Sequence, residues 1–191
     1  SVEISDSTNA QSIILEAGFS MISTYINPYF PILDSVFSSV IGNLELIADD
    51  EGNVFWPIFS INQIGDIVIG EGYKVIMNYA DSLQIIGEDV VPELNPVPIP
   101  EGWSMFGYLR QSPAPIDTML YTITTNIILV KDDKGHVYWP QYGFNLIGDI
   151  TPGEGYQIKM NGLDTLVYLS DSISWFCGDF ISDIEGNQYS T

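Results

Sequence analysis

Apolar and polar positions along this chain fall into short patterned runs separated by glycine and proline, and nearly every kind of run occurs twice. Residues Gly18–Ile26 and Gly102–Leu109 alternate apolar with polar side chains and predict strands. After Pro31, the residues Ile32, Val36, Phe37 and Val40 recur at helical spacing, and after Pro115 so do Ile116, Met119, Leu120 and Ile123. Proline suits a first helical turn because the N–H it lacks would have no partner there, so each stretch predicts one short amphipathic helix. A hairpin follows in each place. Leu44–Ala48 and Val54–Trp56 flank Asp-Asp-Glu-Gly-Asn, and Ile127–Lys131 and Val137–Trp139 flank Asp-Asp-Lys-Gly-His, with the glycine supplying the positive φ of the turn. Pro57 and Pro140 end those strands, since proline donates nothing to a ladder. A loop carrying Ile-Gly-Asp then passes through Gly-Glu-Gly-Tyr into a further strand. There Tyr73, Val75 and Met77, or Tyr156, Ile158 and Met160, are expected to face the core, while Lys74, or Gln157 and Lys159, face out. Leu83–Ile86 and Leu166–Leu169 predict the closing strands.

The doubling is a true internal repeat. Residues 49–78 align without a gap on residues 132–161, and 17 of the 30 positions are identical. Upstream, Gly18-Phe19-Ser20-Met21 answers Gly102-Trp103-Ser104-Met105 after a difference of one residue in length. The chain therefore reads as a strand-rich α+β protein of two tandem pseudo-symmetric repeats, each with about five short strands and one short helix. The expected organisation is a first unit over 13–90, a proline-rich linker over 91–100 that is stiff and extended, a second unit over 101–171 and a tail over 172–191. Superposing 18–86 on 102–169 is expected to give one order of strands and helix.

Charge narrows the partners. Five Lys+Arg against 25 Asp+Glu give a net charge of −20, which repels phosphate backbones and anionic lipid surfaces, so nucleic acid and direct membrane insertion are discarded. No apolar run reaches the length of about 18 residues that a spanning helix needs. The chain opens on a polar stretch, SVEISDSTNAQS, as expected of a mature protein or an excised fragment. With 46% hydrophobic residues and only 16% charged, it should bury a large apolar fraction behind a carboxylate surface, which fits a salty or calcium-rich exterior. The single cysteine, Cys177, sits beside Asp179 with no basic neighbour to lower its pKa, which argues against a catalytic thiol.

Two stretches resemble known families. Gly-Trp-Ser-Met-Phe from Gly102, Lys-Asp-Asp-Lys-Gly-His-Val-Tyr-Trp-Pro from Lys131, and Asn-Leu-Ile-Gly-Asp-Ile-Thr-Pro-Gly-Glu-Gly-Tyr-Gln-Ile-Lys-Met from Asn145 resemble a β-rich repeat of large secreted and surface proteins of Bacteroidetes-type bacteria. The resemblance spans about residues 13–171 and brings no biochemical activity with it. The tail, Cys177-Gly178-Asp179 followed by Ser182-Asp183-Ile184-Glu185-Gly186-Asn187-Gln188-Tyr189, looks like the opening of the FISUMP (major-paralogue) domain. That likeness implies an extracellular setting and a longer parent polypeptide, in which a partner for Cys177 would lie beyond Thr191.

Few side chains carry chemistry. Asp66 and Asp149 hold equivalent places and invite comparison with a paired-carboxylate hydrolase, but their Ile-Gly-Asp-Ile context favours bracing a loop by accepting backbone N–H groups. Gly-Glu-Gly is too short to cradle phosphate and is followed by a strand pattern, so it reads as a turn. Asp49, Asp50, Glu51 and Asn53 offer hard oxygen ligands for Ca²⁺, although Lys134 and His136 take two of those places in the second copy; the alternative is a solvated hairpin turn. His136, the single histidine, reads as a surface residue, and no cofactor is otherwise expected. Trp56 and Trp139, with Phe55, Tyr138, Phe19, Trp103, Tyr73 and Tyr156, form a repeated aromatic set that would be a carbohydrate platform if exposed and a core if buried; burial is the expectation. Trp175, Phe176 and Phe180 lie outside the repeats and are candidates for an interaction patch, with Ser172–Ile184 expected to dock on a repeat or on an adjacent subunit. Together these features predict a non-enzymatic extracellular structural or adhesion module, with other surface proteins or copies of itself as partners. The alternatives are a glycan-binding module and, further off, a hydrolase.

Overall fold

The computed structural model describes residues 9–169 and two further short strands, Ile181–Ser182 and Gln188–Tyr189, which pair antiparallel. The expected interaction patch at Trp175, Phe176 and Phe180 and the environment of Cys177 lie outside the described residues.

The first half runs β1 (Asn9–Leu15), β2 (Gly18–Ile22), β3 (Ile26–Pro28), the one-turn helix α1 (Leu33–Val36), β4 (Leu44–Ala48), β5 (Val54–Trp56), β6 (Ile61–Asn62), β7 (Tyr73–Met77) and β8 (Asp81–Asp89). The second runs β9 (Val97–Ile99), β10 (Gly102–Gly107), β11 (Ala114–Pro115), α2 (Ile116–Met119), β12 (Ile127–Lys131), β13 (Val137–Trp139), β14 (Phe144–Asn145), β15 (Asp149–Ile150), β16 (Gly155–Met160) and β17 (Asp164–Leu166). Two five-stranded antiparallel sheets dominate, in the orders β2-β7-β4-β5-β6 and β10-β16-β12-β13-β14. A register shift interrupts each at the same depth, between Leu44 and Leu46 and between Ile127 and Leu129, a bulge that bends the strand locally. A smaller ladder contributes to each core, β1-β8-β3 in the first half and β9-β17 in the second.

Alternation sets what is buried. In β7, Tyr73, Val75 and Met77 point inward and Lys74 and Ile76 do not; in β16, Tyr156, Ile158 and Met160 do the same. Against these inner faces pack the helical turns, through Leu33, Val36, Phe37 and Val40 in one cluster and Ile116, Leu120 and Ile123 in the other. The chain thus has two apolar cores, one behind each large sheet.

Three expectations need correction. The buried stripe of the first helix starts at Leu33, not Ile32. Ile32 stays extended (φ −60°, ψ 132°), bridges Asp66 through its backbone and leaves its side chain exposed. The segment expected to be a spacer is half absorbed into the fold: after a 3₁₀ turn at Pro92–Leu94, β9 pairs with β17, burying Val97 and Ile99 while Pro98 faces out, as an edge strand allows. The polar opening is not all outside the first unit either. Asn9–Ser12 belongs to β1, where Gln11 is buried and its Oε1 accepts the Thr24 hydroxyl (2.9 Å) and the Tyr25 N–H (3.1 Å). Among the described residues, no helix is long and apolar enough to cross a membrane.

Candidate functional site

The acidic turns and the Gly-Glu-Gly-Tyr turns meet where the two halves join. Asp49 folds its own turn, its Oδ1 accepting the Asn53 N–H and its Oδ2 the Asn53 side-chain amide, both at 2.8 Å. Asp132 does the same by accepting the N–H groups of Lys134 and His136 and by contacting His136 Nδ1 at 2.6 Å, which keeps His136 on the surface. The second aspartate of each turn reaches across. Asp50 accepts the N–H of Met105 (3.1 Å) and Asp133 that of Met21 (3.4 Å), so each half holds the first sheet strand of the other. The glycine turns reciprocate likewise: Ser23 N–H donates to Gly153 C=O (2.9 Å) and Gly107 N–H to Gly70 C=O (2.8 Å). Behind them, the Tyr73 hydroxyl accepts the Val68 N–H and donates to Glu71, and Tyr156 does so with Thr151 and Glu154. The Ca²⁺ candidates Asp49, Asp50 and Asn53 are thus engaged in turn and junction bonds, and Glu51 lies 3.5 Å from the Asn53 amide. Among the described residues, no group of three or more His, Cys, Asp or Glu side chains converges as a metal site would require.

Burial at this junction raises the carboxyl pKa of Glu71, reinforced by the charges of Asp50, Asp49 and Glu51, and burial likewise raises that of Asp133. A carboxyl whose folded pKa exceeds its unfolded value favours the folded state when protonated, so its contribution fades as pH rises from the ordinary carboxylate value of about 4 through the raised folded one. Thermal stability should accordingly gain from these two groups as the pH is lowered from neutrality toward about 4, and Asp133→Asn, whose amide oxygen still accepts the Met21 N–H, should flatten part of that gain. A variant whose melting temperature follows pH as the parent's does would contradict the assignment.

Asp66 and Asp149 do not form a pair. Each lies in its own small ladder, Asp66 opposite Ile32 and Asp149 opposite Pro115, with its side chain exposed. A carboxylate dyad needs two side chains facing each other a few ångströms apart, and these two sit in separate ladders. The loop-bracing expected of them falls instead to Asn62 and Asn145, whose Oδ1 atoms accept the N–H of Gly65 (2.7 Å) and Gly148 (2.8 Å).

The aromatic set is divided between the two faces of each sheet. Phe55, Tyr138, Tyr73 and Tyr156 are core residues, whereas Trp56 is half-buried and Trp139 is 37% exposed, contrary to the expected burial of both tryptophans. Strand alternation is the reason: Phe55 and Tyr138 point inward beside Ile47 and Val130, which turns the following tryptophans outward. Each tryptophan stands edge-on to an exposed ring, Trp56 to Phe59 (4.7 Å, 84°) and Trp139 to Tyr142 (4.7 Å, 81°). Cross-strand partners share a face, so the outer faces carry two rows: Phe19, Ile76, Leu46, Trp56 and Ile61 on one, Trp103, Lys159, Leu129, Trp139 and Phe144 on the other. Trp103 is 47% exposed, with the ammonium groups of Lys131 and Lys159 over its ring at 5.2 and 5.5 Å from the centroid. An open depression of about 560 Å³ is lined by Thr124, Thr125, Ile128, Pro140, Gln141 and Asn161 among others, so the segment between Trp139 and Tyr142 forms part of its wall.

The Trp103 cluster is what sequence reasoning missed. Its signal was the outward position of Lys159 in a strand opposite a Gly-Trp-Ser-Met run, but the convergence of Lys131 depends on a third strand. Comparison with protein-family models, with curated proteins and with solved structures gives no match for this chain.

Proposed function

We propose that this chain is a non-enzymatic structural and adhesion module of an extracellular bacterial surface protein, made of two copies of one pseudo-symmetric repeat that clasp each other. The observation that carries this reading is the reciprocal junction. The strand order recurs in both large sheets, and each half donates to the other the same backbone groups from equivalent positions, Met21 and Met105 to Asp133 and Asp50, Ser23 and Gly107 to Gly153 and Gly70. The repeated residues serve turns, cores and this junction, which is the pattern of a scaffold rather than of a reacting centre. The likeness of the sequence to a secreted repeat and to the start of a FISUMP domain supports the extracellular setting and a longer parent, with other surface proteins or further copies as partners. The test is to remove residues 13–171 from the parent protein and follow its surface display, cell adhesion and hydrolytic activities. Reduced adhesion or assembly with hydrolysis unchanged is the expected result, and loss of a hydrolytic activity would overturn the proposal.

A second reading, glycan binding, is favoured by the exposed aromatic rows. The indole of Trp139, edge-on to Tyr142, offers a sugar an apolar surface, and Pro140 and Gln141 between them wall an open depression whose hydroxyl and amide side chains offer hydrogen-bonding partners.

A further inference from the structure

We infer that Trp103, Lys131 and Lys159 form a binding site for an acidic sugar unit of a glycan, one carrying a carboxylate or a sulfate ester. This inference rests on the glycan-binding reading of the outer face. Basic side chains are scarce here, five against 25 carboxylates, so finding an internal acidic partner should be easy for each. Arg110 pairs with Glu93 and Lys134 with Glu154. Lys74, Lys131 and Lys159 make no ion pair among the described residues, and the last two place both ammonium groups over one exposed indole instead. Two ammonium groups that meet an indole face but no carboxylate, on an outer row that continues with apolar side chains, suit a ligand with an apolar face and an anionic substituent, which is what an acidic sugar ring presents.

The site is special to the second sheet. The residues at the matching positions of the first are Phe19, Ala48 and Ile76, none of them charged, so the cluster is no part of the repeated scaffold. The row continues from Trp103 over Lys159 and Leu129 to Trp139 and Phe144, and the three strand spacings between the two tryptophans amount to about 14 Å, room for more than one sugar unit. An added peptide strand fits less well. The N–H groups of Met105 and Gly107 on this edge are already bonded to Asp50 and Gly70 of the other half.

An exposed ion pair strengthens binding by roughly 1.4- to 5-fold, so two lysines should confer a preference of roughly tenfold for the acidic over the neutral sugar. The test is calorimetric titration of the full chain with tetragalacturonate, its methyl ester, a sulfated carrageenan tetrasaccharide, cellotetraose and polyglutamate, with Lys131→Gln/Lys159→Gln as the variant and near-ultraviolet circular dichroism as the check on its fold. Expected is about tenfold tighter binding of at least one acidic oligosaccharide than of the neutral ones, a ratio that falls to near one in the double variant; which acidic probe binds distinguishes carboxylate from sulfate. Equal binding of acidic and neutral sugars, or a preference that survives in the variant, overturns the inference and leaves the glycan reading standing. Polyglutamate bound as tightly as the acidic sugar overturns it in favour of an acidic peptide. No binding of any oligosaccharide removes both.

Discussion

Replacing Phe55 or Tyr138 with alanine is expected to destabilise the chain by about 3–5 kcal/mol, the usual effect of deleting a core aromatic, while the same change at the neighbouring Trp56 or Trp139 should cost less than about 2 kcal/mol. The contrast runs against residue size, since tryptophan is the larger side chain. It follows from which face each ring occupies: Phe55 is 1% exposed and packs in the first core, Tyr138 lies in the second, and the tryptophans lean on Phe59 and Tyr142, which are themselves 60% and 68% exposed. Urea unfolding of the four variants decides the matter. Tryptophan variants as damaging as their neighbours would mean that the outer face is covered, and would remove the basis for reading it as a binding surface.

The second large effect is expected at the junction between the halves. A Cβ added at Gly155 would lie 2.6 Å from the Ile22 carbonyl oxygen, and one added at Gly107 would lie 2.6 Å from the Glu71 carbonyl oxygen and 2.7 Å from Ser23 Cβ. Both obstacles are mostly backbone, so they cannot swing away as a flexible side chain would. Gly155→Ala and Gly107→Ala should each cost about 1–3 kcal/mol, as overpacking does, and should speed amide hydrogen exchange at Met21, Ser23 and Met105. Gly162→Ala is the control, because a Cβ there meets nothing within 4 Å. Exchange rates at Met21 and Met105 that stay unchanged in the junction variants would show that the halves do not depend on this close approach.

Local features were legible from the sequence wherever punctuation was dense. Both hairpins fall on the expected residues, because a turn glycine and a terminating Trp-Pro fix each strand from both ends. The inward faces of β7 and β16 were legible too, since Lys74 in one and Gln157 and Lys159 in the other interrupt the apolar residues and set the phase of the alternation. The helix stripe slipped by one position at Ile32, where Ile32 and Leu33 are adjacent apolar residues and only the backbone bridge to Asp66 decides between them. Val-Phe-Trp and Val-Tyr-Trp are apolar at every position, so strand alternation gave no clue to which ring faced inward. The junction was hidden for another reason. The partners of Asp50 and Asp133 lie 55 and 112 residues away in the chain, and a carboxylate that accepts a distant N–H leaves no local pattern.

The reciprocal clasp has a consequence for counting. Each half offers one aspartate, one glycine carbonyl and one strand edge, and each receives the same set from the other, so the contact satisfies itself at two members, as an isologous interface does. A head-to-tail stack leaves one end open to the next unit; here both ends of the exchange are occupied. A single unit added to this pair would find its aspartate, glycine carbonyl and strand edge without a counterpart, whereas a second pair would bring its own.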